Sequence, residues 1–152
     1  MALNKIDIET LDPARTIVVA TGNAHKLVEI EDILSHVLPD VTFVALGQLG
    51  DFEDPEETGT TFEENALIKA QALMDVCGCA TLADDSGLCV DWLQGAPGIY
   101  SARYGGLDSD PERCRLLLGN MRGATNRAAH FHTAIVCAFP NGDTLTAEGD
   151  CH

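Results

Sequence analysis

The sequence predicts an α/β protein built on a mixed β-sheet that is flanked by helices. Short β-branched segments alternate with segments that carry apolar residues at helical spacing, a pattern typical of strands joined by helices. Close to the end of the sequence, two apolar segments flank an Asn-Gly pair, which predicts a hairpin of antiparallel strands. The sheet should therefore contain both parallel and antiparallel pairings.

The first half of the chain predicts a strand, a helix and a second strand. The run RTIVVATGN is rich in β-branched residues and ends in Gly22-Asn23, which indicates a strand followed by a turn. Leu27, Ile30 and Leu34 then recur at helical spacing. A second short strand, DVTFVAL, leads into a long acidic loop.

The clearest helix follows this loop, in TTFEENALIKAQALMDVC. Its start offers two alternative capping boxes, Thr60 with Glu63 or Thr61 with Glu64. Beyond it, we predict ATLAD and LCVDWL as two separate strands. The run SDPERCRLLLGNM predicts a further helix with Asp110 as its cap. In the final hairpin, Asn-Gly suits a type I′ turn.

Composition limits the possible partners. The 152 residues, 45% of them hydrophobic, suit one domain with a filled core. The formal net charge of −15 disfavours sequence-independent binding to nucleic acid, although a few bases and a metal can still hold a small anion. No apolar run approaches the roughly 18 residues needed to span a bilayer, and the first residues do not form a secretory signal. We expect a cytoplasmic protein with reduced cysteines and no membrane partner.

The segment Thr21–Lys26, TGNAHK, is a candidate phosphate site. Backbone amides at a helix N-terminus attract phosphate, and Lys26 adds positive charge one turn into the helix. The segment lacks the spaced glycines of the phosphate loop and of the dinucleotide fingerprint. From the residues alone, an ordinary strand-to-helix turn is the commoner interpretation of such a segment.

Asp84 and Asp85 form a candidate metal and acid–base site. Two carboxylates after a strand, with a third acid nearby, suit Mg²⁺, and one of them can take a proton from water. The alternative is a solvated turn between two strands. A purely structural interpretation is also open for the neighbouring helix: the acids at its start complement the helix dipole, and Lys69 can be an exposed side chain.

His130 and His132 share one face of a strand, and we assign them no catalytic role.

Four motifs resemble those of one enzyme family. They are TIVVATGNAHKLVEIEDIL, EETGTTFEENALIKAQAL, LADDSGLCVDWLQGAPGIYSARYGG and AEGDC, and they extend over nearly all of Thr16–Cys151. In these motifs the chain is similar to the inosine/xanthosine triphosphate pyrophosphatases. The resemblance implies a cytoplasmic, Mg²⁺-dependent homodimer of mixed α/β fold whose two lobes flank a central cleft. It implies hydrolysis of ITP, dITP and XTP to the monophosphate and pyrophosphate, which removes deaminated purines from the nucleotide pool.

The resemblance also implies roles for individual residues. Asp85 matches the general base and, with Glu57 and Asp84, the metal-binding acids. Asn65 and Lys69 match the helix that faces the phosphates. On this hypothesis the adjacent aspartates tolerate each other because Mg²⁺ and a triphosphate share the space around them. The substrate-contacting positions are matched by Thr21, Gly22, Asn23, Ala24, His25, Lys26 and Ser86.

The sequence departs from the family in one respect. Members of the family carry a Phe-Gly-Tyr-Asp segment and a Ser-His-Arg segment that hold the purine base, and neither occurs here. We therefore expect residues 1–152 to form a single inosine-triphosphatase-like domain that is incomplete at its C-terminal end.

Two alternatives to an active purine enzyme stay open. One is a catalytically impaired remnant that binds nucleotide or pyrophosphate; the other is a septum-formation-inhibitor-like pyrophosphatase acting on modified pyrimidine nucleotides. The preferred base is not fixed by the sequence.

Overall fold

The computed structural model describes residues 4–21 and 24–152, and its five strands form one sheet in the order β2–β1–β3–β4–β5. The strands are β1 (Thr16–Val19), β2 (Thr42–Ala45), β3 (Ala80–Val90), β4 (Ala129–Ala138) and β5 (Thr144–Cys151). The α-helices are α1 (Ala24–Leu34), α2 (Leu46–Leu49), α3 (Phe62–Cys77) and α4 (Asp110–Asn120). Short 3₁₀ segments span Ile8–Thr10, Asp91–Leu93 and Gly98–Gly106.

The sheet contains both kinds of pairing, as predicted. Strand β1 is parallel to β2 and to β3, whereas β4 is antiparallel to β3 and to β5. The parallel pairs follow from crossovers that contain α1 and α3, because a parallel connection must carry the chain back along the sheet. The prediction of a mixed α/β fold is therefore confirmed.

The helices α1 and α3 pack on opposite faces of this sheet. Val18 packs with Leu73 of α3, and the next residue, Val19, packs with Leu27 of α1. Because neighbouring side chains of a strand point to opposite faces, the two contacts place the two helices on the two sides. On the α3 side, alanines of the helix meet Ala83 and Val136 of the sheet, and these small side chains allow close packing. This arrangement fixes α3 directly over β3 and β4.

Strand β3 is continuous over eleven residues, so the prediction of two separate strands on either side of Asp84-Asp85 is wrong. The register explains the continuity. Ala80–Leu82 pairs with β1, and from Thr81 onward β3 also pairs with β4, through Asp84, Asp85 and on to Val90. The backbone of the acid pair is therefore held by β4, and the alternative of a solvated turn at these residues is excluded.

Two predicted helix starts can be compared with the structure. Thr61 caps α3, since its hydroxyl accepts from the Glu64 amide at 3.1 Å, which selects the Thr61–Glu64 alternative. The Glu64 carboxylate reaches back to the Thr60 amide rather than to that of the cap. At α4 the prediction is wrong: Ser109 is the cap and Asp110 is the first helical residue. Ser109 has the extended backbone that a cap needs, and its hydroxyl accepts from the Glu112 amide.

The turn of the last hairpin also differs from the prediction. A type I′ turn needs positive φ at both central residues, but of Asn141 and Gly142 only the glycine, at φ 94°, has it among the described residues. The Gly142 amide donates to Phe139 O at 2.9 Å, so Pro140 and Asn141 are the central residues of the turn. Pro140 occupies the second position of the turn, where the fixed φ of proline favours type I, and Gly142 occupies the fourth position.

Within residues 4–21 and 24–152, none of the helices has the combination of length and apolar character that crossing a membrane requires.

Candidate active site

The candidate site lies where β1 ends and β3 continues beyond it. Strand β1 pairs with β3 only as far as Leu82, so Asp84 and Asp85 stand just past the carboxyl end of β1. The edge formed by the carboxyl ends of parallel strands is the usual place for a ligand in such sheets. A cavity of about 340 Å³ opens there. Its lining consists of Ala20, Lys26, Glu57, Lys69, Asp84, Asp85, Ser86, Ile99 and Ala102.

A larger cavity adjoins the first. Its volume is about 560 Å³, and it shares Ala20, Glu57 and Lys69 with the smaller one. Its remaining lining comes from the end of β1, from α2 and from the loop that follows α2: Thr21, Leu46, Gly47, Gly50, Asp51, Phe52 and Asp54. The Glu57–Lys69 pair therefore borders both spaces.

Asp84 and Asp85 are adjacent in sequence but serve opposite faces of the sheet. The Asp84 carboxylate pairs with Lys26 of α1 at 2.6 Å, whereas the Asp85 carboxylate lies 3.5 Å from Lys69 of α3. The alternation of side chains along a strand thus gives each aspartate its own lysine. Each acid therefore has its own counter-charge before any ligand binds, and the sharing of Mg²⁺ and a triphosphate between them stays a prediction.

Lys69 is a central residue of the site and not an exposed surface lysine. Its Nζ lies 2.7 Å from Glu57 Oε1, and it donates to the main-chain oxygen of Asp84 at 3.2 Å. Burial works to lower the pKa of Lys69, but the hydrogen bond and charge of Glu57 together with the charge of Asp85 raise it above its usual value. The lysine therefore stays charged throughout the physiological range.

Glu57 is held by two cations. Lys69 contacts one carboxylate oxygen, and Arg103 contacts the other at 2.8 Å. Burial works to raise the pKa of Glu57, but the hydrogen bonds from Lys69 and Arg103 outweigh it and keep the pKa below its usual value. The neighbouring Glu56 is exposed. Glu57 is therefore the acid of this pair that enters the site.

Asp85 differs from Glu57 because part of its carboxylate has no partner. The residue is only 8% exposed, and its Oδ2 atom makes no hydrogen bond within the described residues. Burial raises the pKa of Asp85, the charge of Lys69 opposes the rise, the charge of Glu57 adds to it, and the Asn65 side chain beside the carboxylate also opposes it. The result is a buried carboxylate that is more basic than that of a solvated aspartate and that can accept a proton or a cation.

Asn65 connects α3 to the segment that carries Glu57. Its side chain is fully buried, and Oδ1 accepts from the Gly59 amide at 2.8 Å. A side chain at position 59 would collide with Asn65, since its Cβ would lie 2.6 Å from Oδ1. The Nδ2 atom of Asn65 has no hydrogen-bond partner among the described residues. An asparagine in the first turn of α3 thus fixes the approach of the acidic segment to the site.

The other predicted positions surround this centre. Ser86 lines the cavity and lies 2.8 Å from the Thr133 hydroxyl, and it donates to Asp84 Oδ2 at 3.3 Å. Thr21 is half-buried and accepts through its main-chain oxygen from the Gly47 amide. In the first turn of α1, Ala24 is buried and His25 is exposed. Gly22 and Asn23, both predicted to contact phosphate, lie outside the described residues.

Sequence reasoning missed Arg103. Its segment enters the sequence analysis only as part of a family motif, whereas in the structure Arg103 lies at a kink within the 3₁₀ segment Gly98–Gly106 beside β3. The signal available was a single arginine in a loop that is otherwise uncharged. Its partner, Glu57, lies 46 residues earlier, so no local pattern connects the two.

The donor set of the site suits a divalent cation. Glu57, Asp84 and Asp85 offer hard carboxylate oxygens, and the buried Oδ2 of Asp85 has no partner. In the present side-chain arrangement, no three His, Cys, Asp or Glu side chains of residues 4–21 and 24–152 converge on a common metal position. Lysine and arginine contact Oδ1 of each aspartate and both oxygens of Glu57, and the Ser86 hydroxyl donates to Asp84 Oδ2. A cation would therefore have to exchange with these bases.

Comparisons with known proteins agree with the four sequence motifs. The model of the Ham1 family matches residues 17–152. A dITP/XTP pyrophosphatase of Deinococcus deserti is 48% identical, and the alignment covers 90% of this chain and 63% of that protein. A dITP/XTP pyrophosphatase of Synechococcus sp. is 46% identical, and the alignment covers 90% of this chain and 64% of that protein. The chain thus spans less than two thirds of the length of these curated relatives.

Solved structures show the same fold. The Ham1 protein of Staphylococcus aureus superposes with a TM-score of 0.78 at 38% identity, over 90% of this chain and 69% of that one. A nucleoside-triphosphatase, or dITP/XTP pyrophosphatase, of Mycobacterium abscessus superposes with a TM-score of 0.77 at 38% identity. The match covers 89% of this chain and 71% of that one. The predicted family resemblance is therefore confirmed.

Proposed function

Because the chain belongs to the Ham1 family, we propose that it is a nucleoside triphosphate pyrophosphatase. Its substrates are noncanonical purine nucleotides, namely ITP, dITP and XTP, and its products are the monophosphate and pyrophosphate. The observation that carries the proposal is the meeting of three carboxylates and two lysines beside the end of β1, with one buried aspartate oxygen unpartnered. The names of the relatives, dITP/XTP pyrophosphatases, support the choice of substrate.

Mg²⁺ is the proposed cofactor. Glu57, Asp84 and Asp85 are the residues that would hold it, because carboxylate oxygens are its preferred protein ligands. When bound, it would supply positive charge that offsets the charge of the phosphates and of the pyrophosphate leaving group. The presence of all three carboxylates in the lining of one cavity supports this assignment.

Asp85 is the proposed general base. Its burial makes the carboxylate more basic than that of a solvated aspartate, and Oδ2 is free to accept a proton. In the proposed reaction, a water gives this proton to Asp85 and attacks the α-phosphorus, and pyrophosphate leaves. Lys69, hydrogen-bonded to the main chain beside the base, keeps a positive charge next to the reacting phosphates.

The remaining residues are proposed to bind the triphosphate. Lys26 and Lys69 supply charge from the two faces of the sheet, and the start of α1 supplies main-chain amides. Asn65 acts from within α3, where its Nδ2 is the atom without a partner. The other proposed contacts are Thr21, Gly22, Asn23, Ala24, His25 and Ser86.

We further propose a cytoplasmic homodimer that clears deaminated purine nucleotides from the nucleotide pool. The net charge of −15 supports a small-molecule substrate over nucleic acid.

A second candidate function is the binding of pyrophosphate or triphosphate without base selectivity. It is favoured by one observation: the cavity is lined by charged side chains that suit a metal and phosphates, namely Lys26, Glu57, Lys69, Asp84 and Asp85.

A competition assay tests the proposal and separates it from the second candidate. The full 152-residue chain is incubated with Mg²⁺ and dITP, XTP, ATP or inorganic triphosphate, and pyrophosphate release and binding are both measured. The pyrophosphatase proposal predicts turnover of dITP and XTP well above that of ATP. Binding of all four without turnover or preference would favour the second candidate, since an absent polar partner cannot reject the wrong base. No binding of any of them would contradict both.

A further inference from the structure

Arg103 contributes a third cation to the site. Its guanidinium Nη1 lies 2.8 Å from Glu57 Oε2, and its Cζ lies 5.2 Å from the centre of the Tyr100 ring. Among the described residues, Glu57 is the only hydrogen-bonding partner of this side chain. The side chain is 41% exposed, and both its partner Glu57 and the preceding residue Ala102 line the smaller cavity.

The segment that carries Arg103 is fixed against β3. The Ser101 hydroxyl accepts from the Leu88 amide at 2.9 Å and donates to Gly98 O at 2.7 Å. Gly87 packs so closely against this segment that an added Cβ would collide with Gly98 O and with the Phe62 ring. Arg103 is therefore positioned by the same strand that carries Asp84 and Asp85.

The charges of the site are balanced before any ligand binds. Among the described residues, Lys26 pairs with Asp84, Lys69 lies between Glu57 and Asp85, and Arg103 pairs with Glu57. Three positive side chains thus face three carboxylates. A divalent cation that binds Glu57 must take an oxygen that a base now occupies, and it leaves that base without its counter-charge.

Arg103 is the base that can leave. Lys69 keeps two further acceptors, the main-chain oxygen of Asp84 and the Asp85 carboxylate, and its side chain is the more buried of the two. Arg103 has no second acceptor in the described part of the chain, and its planar guanidinium suits the oxygens of a phosphate. A guanidinium released from Glu57 would remain beside the cavity because Ser101 and Gly98 anchor its segment.

We propose that Arg103 exchanges partners. In the free protein it neutralises Glu57, and when a divalent cation takes the Glu57 carboxylate it binds a phosphate oxygen of the ligand. The phosphate part of this inference rests on the proposed function, whereas the competition for Glu57 does not. Arg103 would thus oppose the binding of metal alone and favour the binding of metal together with a polyphosphate.

Two affinities of the full chain test the exchange, with Mn²⁺ and inorganic triphosphate as the probes. In Arg103→Gln, Mn²⁺ alone should bind about two- to fivefold more tightly, the factor expected when a partly exposed ion pair no longer competes. Triphosphate at saturating Mn²⁺ should bind about tenfold more weakly, the factor expected for a lost charge-assisted hydrogen bond. Arg103→Lys should shift both affinities in the same directions but by less, and it carries the test if the glutamine variant does not fold.

The control is Arg115→Gln, which removes the same charge from an exposed position of α4. It should leave both affinities unchanged, and equal shifts in the control would overturn the exchange in favour of a general charge effect. Weaker or unchanged Mn²⁺ binding in Arg103→Gln would also overturn it, because Arg103 would then order Glu57 or have no influence on it. Opposite shifts with a wild-type chain that hydrolyses no nucleotide would support the exchange while contradicting the proposed function.

Discussion

Two clusters of charged side chains lie on this sheet, and they differ in origin and in burial. The cleft cluster, Glu57, Lys69, Asp84 and Asp85, combines residues from a loop, from α3 and from β3. The hairpin cluster, His130, His132, Glu148 and Asp150, comes only from β4 and β5. In the first, a buried carboxylate oxygen has no partner; in the second, His132 is hydrogen-bonded to its cross-strand neighbour Asp150 at 2.6 Å.

The difference indicates which of the two clusters is suited to catalysis. Cross-strand neighbours on a hairpin satisfy each other by register alone, so the hairpin cluster needs no ligand. The cleft cluster brings distant residues together and buries them, at a cost in desolvation that its internal pairs outweigh at Glu57 and Lys69 but not at Asp85. Unsatisfied buried polar groups of this kind concentrate at functional sites. We therefore expect substitutions in the cleft cluster to change catalysis, and those in the hairpin cluster to change only stability.

The largest expected effect is that of Asp85→Asn. Asparagine keeps the shape of the side chain but cannot accept a proton at neutral pH. We expect kcat for dITP to fall by about 10²-fold or more, the usual scale for loss of a general base, with a much smaller change in KM. Asp150→Asn is the matched control from the hairpin cluster and should turn over normally. Near-normal turnover of Asp85→Asn would remove Asp85 from the chemistry.

The next effect distinguishes the two acids of the loop before α3. Glu57→Gln should weaken Mg²⁺ binding severalfold, since it removes a hard anionic ligand, whereas Glu56→Gln should not. Isothermal titration of Mg²⁺ in the presence of a non-hydrolysable ITP analogue measures both. Equal losses for the two variants would mean that the loop acts through its overall charge and that Glu57 is not a specific ligand.

A third prediction compares a buried with an exposed asparagine. In Asn65→Ala the part-buried Gly59 amide loses its acceptor and a fully buried side chain is truncated, so the free energy of unfolding should fall by about 1–3 kcal/mol. Asn120→Ala removes an exposed hydrogen bond to the Tyr104 hydroxyl and should cost less than about 0.5 kcal/mol. Urea denaturation of the two variants checks the difference. Similar values would show that Asn65 does not fix the acidic segment.

The smallest expected effect concerns pH and the hairpin cluster. The hydrogen bond and charge of Asp150, with Glu148 adding to them, raise the pKa of His132 above 6.5. A raised histidine pKa contributes stability that is fully present below pH 6.5 and is lost as the pH rises through the pKa of the folded state. His132→Gln should therefore lower Tm slightly at pH 5.5 and leave it unchanged at pH 9. A Tm difference of the same size at both pH values would contradict the ion-pair explanation.

Local patterns in the sequence were sufficient for most of the fold. Apolar spacing marked α1 and α3, and β-branched runs marked β1 and β2, because these elements depend on residues close in sequence. The continuity of β3 could not be predicted in this way. Asp, Ser and Gly in its middle are typical of turns, and they stay extended only because β4 pairs with them.

The same limit applies to the candidate site. The acids and lysines appeared in motifs, so Glu57, Lys69 and Asp85 could be selected from the sequence. The separation of Asp84 from Asp85 by the two faces of the sheet required knowledge that they lie within one strand. Two contacts depend on loop conformations, namely the hydrogen bond from Gly59 to Asn65 and the ion pair of Arg103 with Glu57. Loops have no regular residue spacing from which such contacts could be predicted.

The central claim is that the cleft cluster directs water to the α-phosphorus of a nucleoside triphosphate. The most direct test is the hydrolysis of dITP by the full chain in ¹⁸O-labelled water with Mg²⁺, followed by mass spectrometry of the products. The proposed reaction places the label in dIMP and leaves pyrophosphate unlabelled, because the bond between the α-phosphorus and the bridging oxygen is the one that breaks. Label in pyrophosphate, release of inorganic phosphate, or no hydrolysis at all would contradict the claim.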